Sequence, residues 1–465
     1  MVDINDFSGK RVHMIGIGGS SMSGLVDFLL DRGCVVTGSD RDHSHHVEAL
    51  EAKGIRVFIG HRAENVRGAD LVVFSAAIRP ENPERAEAAR LNIPQMERSV
   101  LLGELMRGCR TAICVSGTHG KTTTTAMIGQ ALVEAGLDPS VHLGGELDAL
   151  GGGTRLGGRE VFVAEACEYH SSFLEMHPTI AVILNVDGDH YDYYKDIDDY
   201  ERAFGDFLRL LPEDGVAIAN GGDARALRLL LKSGRRAVTF GLSENDDYYP
   251  AQLRFDDFGR PAFDVMRRGD RLASVQLAIS GDFTVLNALA AFAACMEAGA
   301  DAERIAATLS RFGGVHRRFE LTGIIDGVRM YHDYGHNPAE MAAAISVAKK
   351  QKAGCVWAVM QPHTYSRVKS LFDDYLTCTA AADKTLVTDI CAARESDPGD
   401  INSRMLVDGM RSHGIDATLT PSFDDTERYL RAHWQPGDLV LTMGCGDINL
   451  LNEQMTQHGD TRPES

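Results

Sequence analysis

The sequence predicts an α/β protein built in three blocks, each on a mainly parallel sheet. Two observations predict this. Short runs rich in Val and Ile alternate with helix-like stretches along most of the chain, the pattern of buried parallel strands joined by crossover helices. Glycine-rich turns follow directly on two of those runs, where a parallel sheet presents helix starts that hold anions. The length, 465 residues, exceeds what one core serves, so two to three domains are expected.

In the first block, residues 11–17 (RVHMIGI), 34–40 (CVVTGSD), 55–60 (IRVFIG) and 69–77 (ADLVVFSAA) read as buried strands. The helical stretch 23–33 ends at Gly33, a C-terminal glycine stop. Directly after the first run comes GIGGSSMSG (16–24). Gly16 and Gly18 fit the first two positions of a dinucleotide fingerprint, Ser21 stands at the third, and Asp40 ends the second run where a ribose-binding acid is expected. The physics supports a diphosphate at a helix start, which a UDP-sugar satisfies as well as NAD does. An NAD-dependent dehydrogenase is the matching alternative, but the Gly-Lys-Thr loop downstream has no part in that chemistry.

The second block opens with the run 111–117 (TAICVSG), a loop, and a helix over 124–136. Runs at 160–166, 180–186 and 215–220 follow. A more polar stretch near 245–275 suggests an antiparallel edge or an insertion, and an Ala-rich helix is expected at 284–298. The loop, VSGTHGKTTTT, departs from the pattern G-x-x-x-x-G-K-[ST], whose first glycine falls at Val115. The chemistry is retained nonetheless. Gly117 and Gly120 permit the tight backbone, Lys121 carries charge to the terminal phosphates, and Thr122 offers a hydroxyl to Mg²⁺. Glu165 ends one run, and Asn185, Asp187, Asp189 and His190 follow the next, where parallel strand ends converge. A carboxylate there suits Mg²⁺. The imidazole of His190 is an unusual ligand for so hard a cation and reads, on chemistry alone, as supporting or structural.

The third block begins near Gly313 and carries runs at 355–361, 384–390 and 438–444; the polar tail after Gln454 is expected to fray. With 44% hydrophobic and 24% charged residues the chain reads as soluble and globular, and a net charge of −19 opposes a nucleic-acid backbone as main partner. Nine scattered cysteines without a C-x-x-C pair fit reduced thiols better than a disulfide framework. MVDINDFSGK is no secretory signal, and no apolar run approaches the ~18 residues of a membrane span. A cytoplasmic protein with no membrane and no nucleic-acid partner is expected.

Taken in order, GIGGSSMSG, SAAI, SGTHGKTTT, AEACEYHSSFL, NVDGDHYDYY, GVHRRFE, HDYGHNPAEM, QPHTYSR and GCGDI span about residue 10 to 450, and jointly they resemble the Mur ligases of bacterial cell-wall synthesis. The short loop without its first glycine is that family's own form. The resemblance implies three domains: an N-terminal Rossmann-like UDP-binding domain (1–108), a central P-loop ATPase domain (109–312) and a C-terminal Rossmann-like domain that receives the amino acid (313–465). It implies ATP and Mg²⁺ as cofactors, and UDP-N-acetylmuramate with an amino acid, L-alanine first, as partners, in a monomer or homodimer. ATP would convert the muramyl carboxylate to an acyl phosphate, which the amine then attacks.

The resemblance also implies roles. The UDP-sugar would meet Gly16, Gly18, Gly19, Ser21, Asp40 and Ser75. ATP would meet Gly117, Thr118, His119, Gly120, Lys121, Thr122 and Thr123, with Asn287 on adenine, Asp333 in a nucleotide-facing turn and Arg318 on the transferring phosphate. Thr122, Glu165 and His190 would hold Mg²⁺. His336, His363 and Arg367 would surround the amino acid, Arg367 clamping its carboxylate. Lys121, Glu165, His190, Arg318 and His336 are thus the catalytic candidates.

Four departures qualify this. The central helix starts FTVLN (283–287) where H-N-x-x-N is usual, so Asn287 remains and Phe283 offers a ring for adenine. Thr364 stands where alanine-adding members commonly carry a second arginine, which leaves glycine or serine open as acceptor. AEACEYHSS places Cys167 in a usually acidic run, a thiol the mechanism does not need, and no lysine after His190 matches the carbamylated one of sibling ligases. A ligase recycling murein tripeptide, or a catalytically weak UDP-sugar or ATP sensor, are the alternatives.

Overall fold

A computed structural model describes residues 4–188, 190, 193–393 and 395–457; Asp189 and most of the tail lie outside the described residues. The chain forms two compact units. The first takes Met1–Leu253, Ala262–Gln276 and Phe283–Phe312, and the second takes Arg254–Pro261, Leu277–Asp282 and Gly313–Ser465.

The first unit begins with a parallel sheet of β1 (Arg11–Ile15), β2 (Val35–Asp40), β3 (Arg56–Ile59), β4 (Leu71–Phe74) and β5 (Gln95–Glu97), in the order β3-β2-β1-β4-β5. All four pairings are parallel. β1 stops two residues before its apolar run does, because Gly16 turns the chain with φ +77°. Gly33, also left-handed at φ +77°, ends the helix Leu25–Asp31 as its sequence position requires.

A second sheet follows: β6 (Thr111–Ser116), β7 (Ser140–Leu147), β8 (Gly152–Arg155), β9 (Val161–Glu165), β10 (Ile180–Ile183), β11 (Val216–Asn220), β12 (Arg236–Phe240), β13 (Tyr248–Phe255), β14 (Pro261–Arg267) and β15 (Asp270–Gln276). Its order is β15-β14-β13-β12-β11-β10-β6-β9-β7-β8, parallel from β7 through β12. The polar stretch near 245–275 is the sheet's edge, where β14 and β15 pair antiparallel. β7 and β8 carry no clear apolar run in the sequence. Their glycines and the half-exposed GGTR of β8 hide the strand pattern.

The two sheets share one core. Phe28 packs against Phe162, the rings tilted with centroids 5.4 Å apart, and Leu105 and Met106 join Phe173 and Met176 in the same cluster. Gly103 permits this approach: a Cβ there would stand 1.9 Å from the Glu175 carbonyl oxygen. The first and second sequence blocks therefore fold as one body.

The second unit carries β16 (Glu320–Ile325), β17 (Val328–Asp333), β18 (Val356–Met360), β19 (Lys384–Val387), β20 (Ala417–Leu419) and β21 (Leu439–Met443), in the order β16-β17-β21-β18-β19-β20. All neighbours are parallel except the hairpin β16–β17. Among the described residues no helix is long and apolar enough to cross a membrane.

Candidate functional site

At the first sheet, the parallel register pairs Ile15 with Ser39 and with Phe74, so Gly16, Asp40 and Ser75 all leave the sheet at one edge. The turn Gly16–Gly19 closes through the Gly19 N–H on the Gly16 carbonyl at 3.1 Å. Asp40 accepts the Gly18 N–H at 2.8 Å, and a Cβ on Gly18 would lie 2.7 Å from Val47. Asp40 thus shapes the glycine loop. Ser21 accepts from Arg98 at 3.0 Å and meets His142 Nε2 of β7 at 3.0 Å. Burial, reinforced by the Arg98 charge, pushes His142 down to about 3, so this ring is neutral.

The loop after β6 is tighter. β6 lies between β9 and β10; Glu165 ends β9, and residues 184–188 follow β10, so both sit at the strand ends beside the loop. Gly117 has φ +145°, and a Cβ there would stand 2.9 Å from Leu184 Cβ. Gly120 has φ +85°, and its Cβ would stand 2.6 Å from Asn287 Oδ1. Only glycine fits either place. Thr118 Oγ1 donates to the Asp187 carbonyl at 2.7 Å, and Asn185 brackets the His119 backbone, accepting its N–H at 2.8 Å and donating to its carbonyl at 3.1 Å.

Lys121, 14% exposed, donates to the Gly117 carbonyl at 2.6 Å, to the Thr118 carbonyl at 3.1 Å and to Glu168 at 2.9 Å. Burial pulls its ammonium down, but the Glu168 and neighbouring acidic charges outweigh it and hold the group above its ordinary value. Lys121 is therefore charged. The helix Lys121–Glu134 starts three residues earlier than its apolar pattern, since the loop residues themselves form the first turn. Thr122 is buried there, and Thr123 is half-buried beside it.

Glu165 accepts the Gly144 N–H at 2.9 Å through one oxygen. His190, held at φ +54°, points Nε2 at Glu168 Oε1 at 3.7 Å. Asn287, 5% exposed on the helix Phe283–Glu297, keeps a buried Nδ2 without a hydrogen-bond partner among the described residues, while Phe283 is 44% exposed. Cys167 is half-buried; burial and the adjacent Glu168 charge push its thiol up to about 11, so it is no thiolate nucleophile.

In the second unit the two adjacent arginines divide. Arg317, at φ +63°, donates to His332 Nε2 at 3.1 Å, the Gly444 carbonyl at 3.3 Å and the Gly446 carbonyl at 2.9 Å. Both guanidiniums lie 4.9 Å from the centre of the Tyr334 ring, but Arg318 makes no side-chain hydrogen bond to a described residue. Asp333 accepts the Phe319 N–H at 2.9 Å and the Gly335 N–H at 2.7 Å, fixing the Arg318 segment to the turn after β17. Burial raises the Asp333 carboxyl against the pull of Arg318. His336 Nδ1 lies 3.4 Å from Glu340, His363 Nδ1 lies 3.1 Å from Arg367, and the two imidazoles are 6.2 Å apart. Thr364, directly after His363, sits at φ +62° and ψ +137°, outside the usual regions for a β-branched residue.

Sequence reasoning missed Glu168 as a site residue. Its signal was present, an acid three positions past the end of β9, but Cys167 beside it drew the reading away. Tyr200, whose hydroxyl meets Thr118 Oγ1 at 3.1 Å and Glu168 at 3.3 Å, gave no signal, since its helix is remote in sequence.

Sequence models of three Mur ligase domains match in order: the Mur ligase family catalytic domain over 11–110, the Mur ligase middle domain over 115–295 and the Mur ligase glutamate ligase domain over 317–446. The chain is 44% identical to a UDP-N-acetylmuramate–L-alanine ligase of Acetivibrio thermocellus, covering 97% of this chain and 96% of the relative. The crystal structure of a UDP-N-acetylmuramate–alanine ligase from Thermotoga maritima superposes with a TM-score of 0.81 at 27% identity, covering 96% and 98% of the two chains. A murein peptide ligase from Psychrobacter arcticus shares the fold, with a TM-score of 0.73 at 24% identity over 97% of this chain and 98% of that one.

Proposed function

The chain belongs to the Mur ligase family, and from that premise we propose that it is an ATP-dependent ligase joining L-alanine to the carboxylate of UDP-N-acetylmuramate in peptidoglycan synthesis. The observation that carries this reading is the near-full-length identity to an enzyme of that name. Membership agrees with a charged Lys121 inside a loop whose Gly117 and Gly120 leave no room for a side chain.

Joining a carboxylate to an amine needs a leaving group on the carboxyl carbon. A carboxylate oxygen of the muramyl group attacks the γ-phosphorus of ATP, ADP departs, and the acyl phosphate is left. The amine nitrogen then attacks the carbonyl carbon, and the tetrahedral adduct collapses with loss of phosphate. The loop carbonyls that now accept from Lys121 give way to phosphate oxygens, which are better acceptors for an ammonium. Arg318 is assigned to the transferring phosphoryl group, because its guanidinium is not committed to internal acceptors as that of Arg317 is. Asn287, with its unpartnered buried amide nitrogen, is assigned to adenine, and Phe283 to stacking on it. His336, His363 and Arg367 are assigned to the amino acid, Arg367 to its carboxylate.

Mg²⁺ fits the donors present. Thr122 has a hydroxyl with no hydrogen bond to a described residue, and Glu165 uses one backbone N–H and keeps acceptor capacity. His190, a softer donor, faces Glu168 and completes the set we assign to the metal. When bound there, Mg²⁺ neutralises phosphate charge during transfer. Gly16, Gly18, Gly19, Ser21, Asp40 and Ser75 are assigned to the UDP-sugar, and a cytoplasmic location follows from substrates made there.

Phosphate release by the purified protein tests the reading, with ATP, Mg²⁺ and UDP-N-acetylmuramate and with L-alanine, glycine, L-serine or a murein tripeptide as acceptor. Release that requires all three substrates and is fastest with L-alanine is expected. Preference for the tripeptide would reassign the chain to recycling, and binding of UDP-N-acetylmuramate without release for any acceptor would leave only a sensor.

A further inference from the structure

Away from the nucleotide loops, two adjacent histidines of the first block meet an acid of the second sheet. His45 and His46 open the helix His45–Ala52, and Glu146 lies near the end of β7. The two imidazoles lie side by side, tilted by 38° with centroids 3.9 Å apart, and His46 Nε2 lies 3.8 Å from Glu146 Oε1. One donor atom from each of the three residues falls within 4.8 Å of the others. We propose that His45, His46 and Glu146 form a binding site for a borderline divalent cation of the Zn²⁺, Co²⁺ or Ni²⁺ class.

The donor set decides the class. Two imidazole nitrogens and one carboxylate oxygen suit Zn²⁺ and its neighbours, whereas Mg²⁺ asks for oxygen donors in an octahedron. Ligand bonds of about 2.0–2.2 Å in a tetrahedron set donors about 3.4 Å apart, so the observed spacing needs only small rotations. The side chains have room for them, since His46 is 23% and Glu146 47% exposed. Adjacent residues on a helix normally diverge, yet in this first turn the rings lie together. Three protein donors leave a fourth position for water.

The placement gives the site a consequence. Ser44, the helix N-cap, and Val47 both approach Gly18 of the first glycine loop. A cation held by His45, His46 and Glu146 therefore ties the helix that abuts that loop to β7, whose His142 already meets Ser21. The site is a clip between the two sheets of the first unit, separate from the Mg²⁺ donors assigned above.

The test is titration of the full-length, chelator-treated protein with Zn²⁺ alone, in buffer holding excess Mg²⁺ to occupy hard-cation sites, followed by calorimetry. Co²⁺ replaces it in a second series, read by its visible absorption. The wild type is expected to bind a single ion that raises its thermal midpoint, and H46A and E146Q to weaken that ion at least about tenfold and abolish the shift. Metal-free thermal midpoints matching the wild type would show both variants folded, and E146Q, conservative and exposed, carries the test if H46A fails to fold. Equal Zn²⁺ affinity and stoichiometry in wild type and E146Q would overturn the proposal, as would uptake abolished by thiol alkylation alone.

Discussion

The Lys121 ammonium lies 2.9 Å from each carboxylate oxygen of Glu168, a residue 1% exposed. A salt bridge so enclosed has two consequences. It keeps the lysine charged and aimed into its loop, and it makes each partner dependent on the other, since a lone charge there is costly to bury.

Lys121→Ala is expected to cut ATP-dependent phosphate release by at least about a hundredfold, while UDP-N-acetylmuramate binding, followed by calorimetry, stays within a small factor of wild type. Glu168→Ala is expected to lose both activity and about 3 kcal/mol of stability, because it strands the ammonium. If Glu168→Ala unfolds at the wild-type denaturant concentration, the pair does not couple as described.

The adjacent arginines give an asymmetric pair of expectations. Arg317 holds two carbonyls of the 444–446 turn and the buried His332 ring, so Arg317→Ala is expected to destabilise the protein by about 2–3 kcal/mol. Arg318→Ala should leave thermal unfolding near wild type and lower kcat by about a hundredfold or more. Circular-dichroism melts beside steady-state kinetics separate the two. Equal stability losses would mean that Arg318 is as structural as its neighbour.

The contrast shows what the sequence could carry. Buried parallel strands announce themselves, because two covered faces demand unbroken apolar runs, and β1, β6, β10 and β21 lie inside such runs. The edge strand β16 and the strand β7 do not, since an edge or glycine-bearing strand mixes exposed and buried residues. Within the site, Gly117, Gly120 and Lys121 were legible because local backbone chemistry dictates them. Glu168 and Tyr200 act on the loop from 47 and 82 residues away from their partners, a relation only the folded chain creates. Which of Arg317 and Arg318 is structural likewise depends on the turn at 444–446, and no spacing in GVHRRFE reveals it.

Thr364 stores backbone strain of about 1–3 kcal/mol at φ +62°. Glycine at this position is expected to raise the thermal midpoint, whereas alanine, which keeps a Cβ, should not. Because Thr364 joins His363 to the helix bearing Arg367, the looser Thr364→Gly backbone should also raise KM for the amino acid and leave KM for ATP unchanged. A glycine variant no more stable than the alanine variant would remove strain as the explanation.

His142 links the first glycine loop to β7 through Ser21 Oγ at 3.0 Å and bonds Thr154 at 3.2 Å through its other nitrogen. Burial, then the Arg98 charge, brings its folded value down to about 3, whereas the unfolded ring titrates near 6.5. Between these values the unfolded chain binds a proton that the native ring refuses. The stabilisation is therefore complete above about pH 6.5 and erodes as pH falls, by about 1.4 kcal/mol per unit once well below that value. His332, also held near 3 by burial and Arg317, adds a second such slope in the other unit. Urea midpoints taken between about pH 7.5 and pH 5 should fall steadily for the wild type. In His142→Gln, which keeps an amide for Ser21 without a titrating ring, the share of the slope belonging to His142 should vanish, while His177, also held down by burial, keeps its own. An unchanged slope in that variant would mean that His142 takes its proton in the folded protein, and that the Ser21 contact does not depend on a neutral ring.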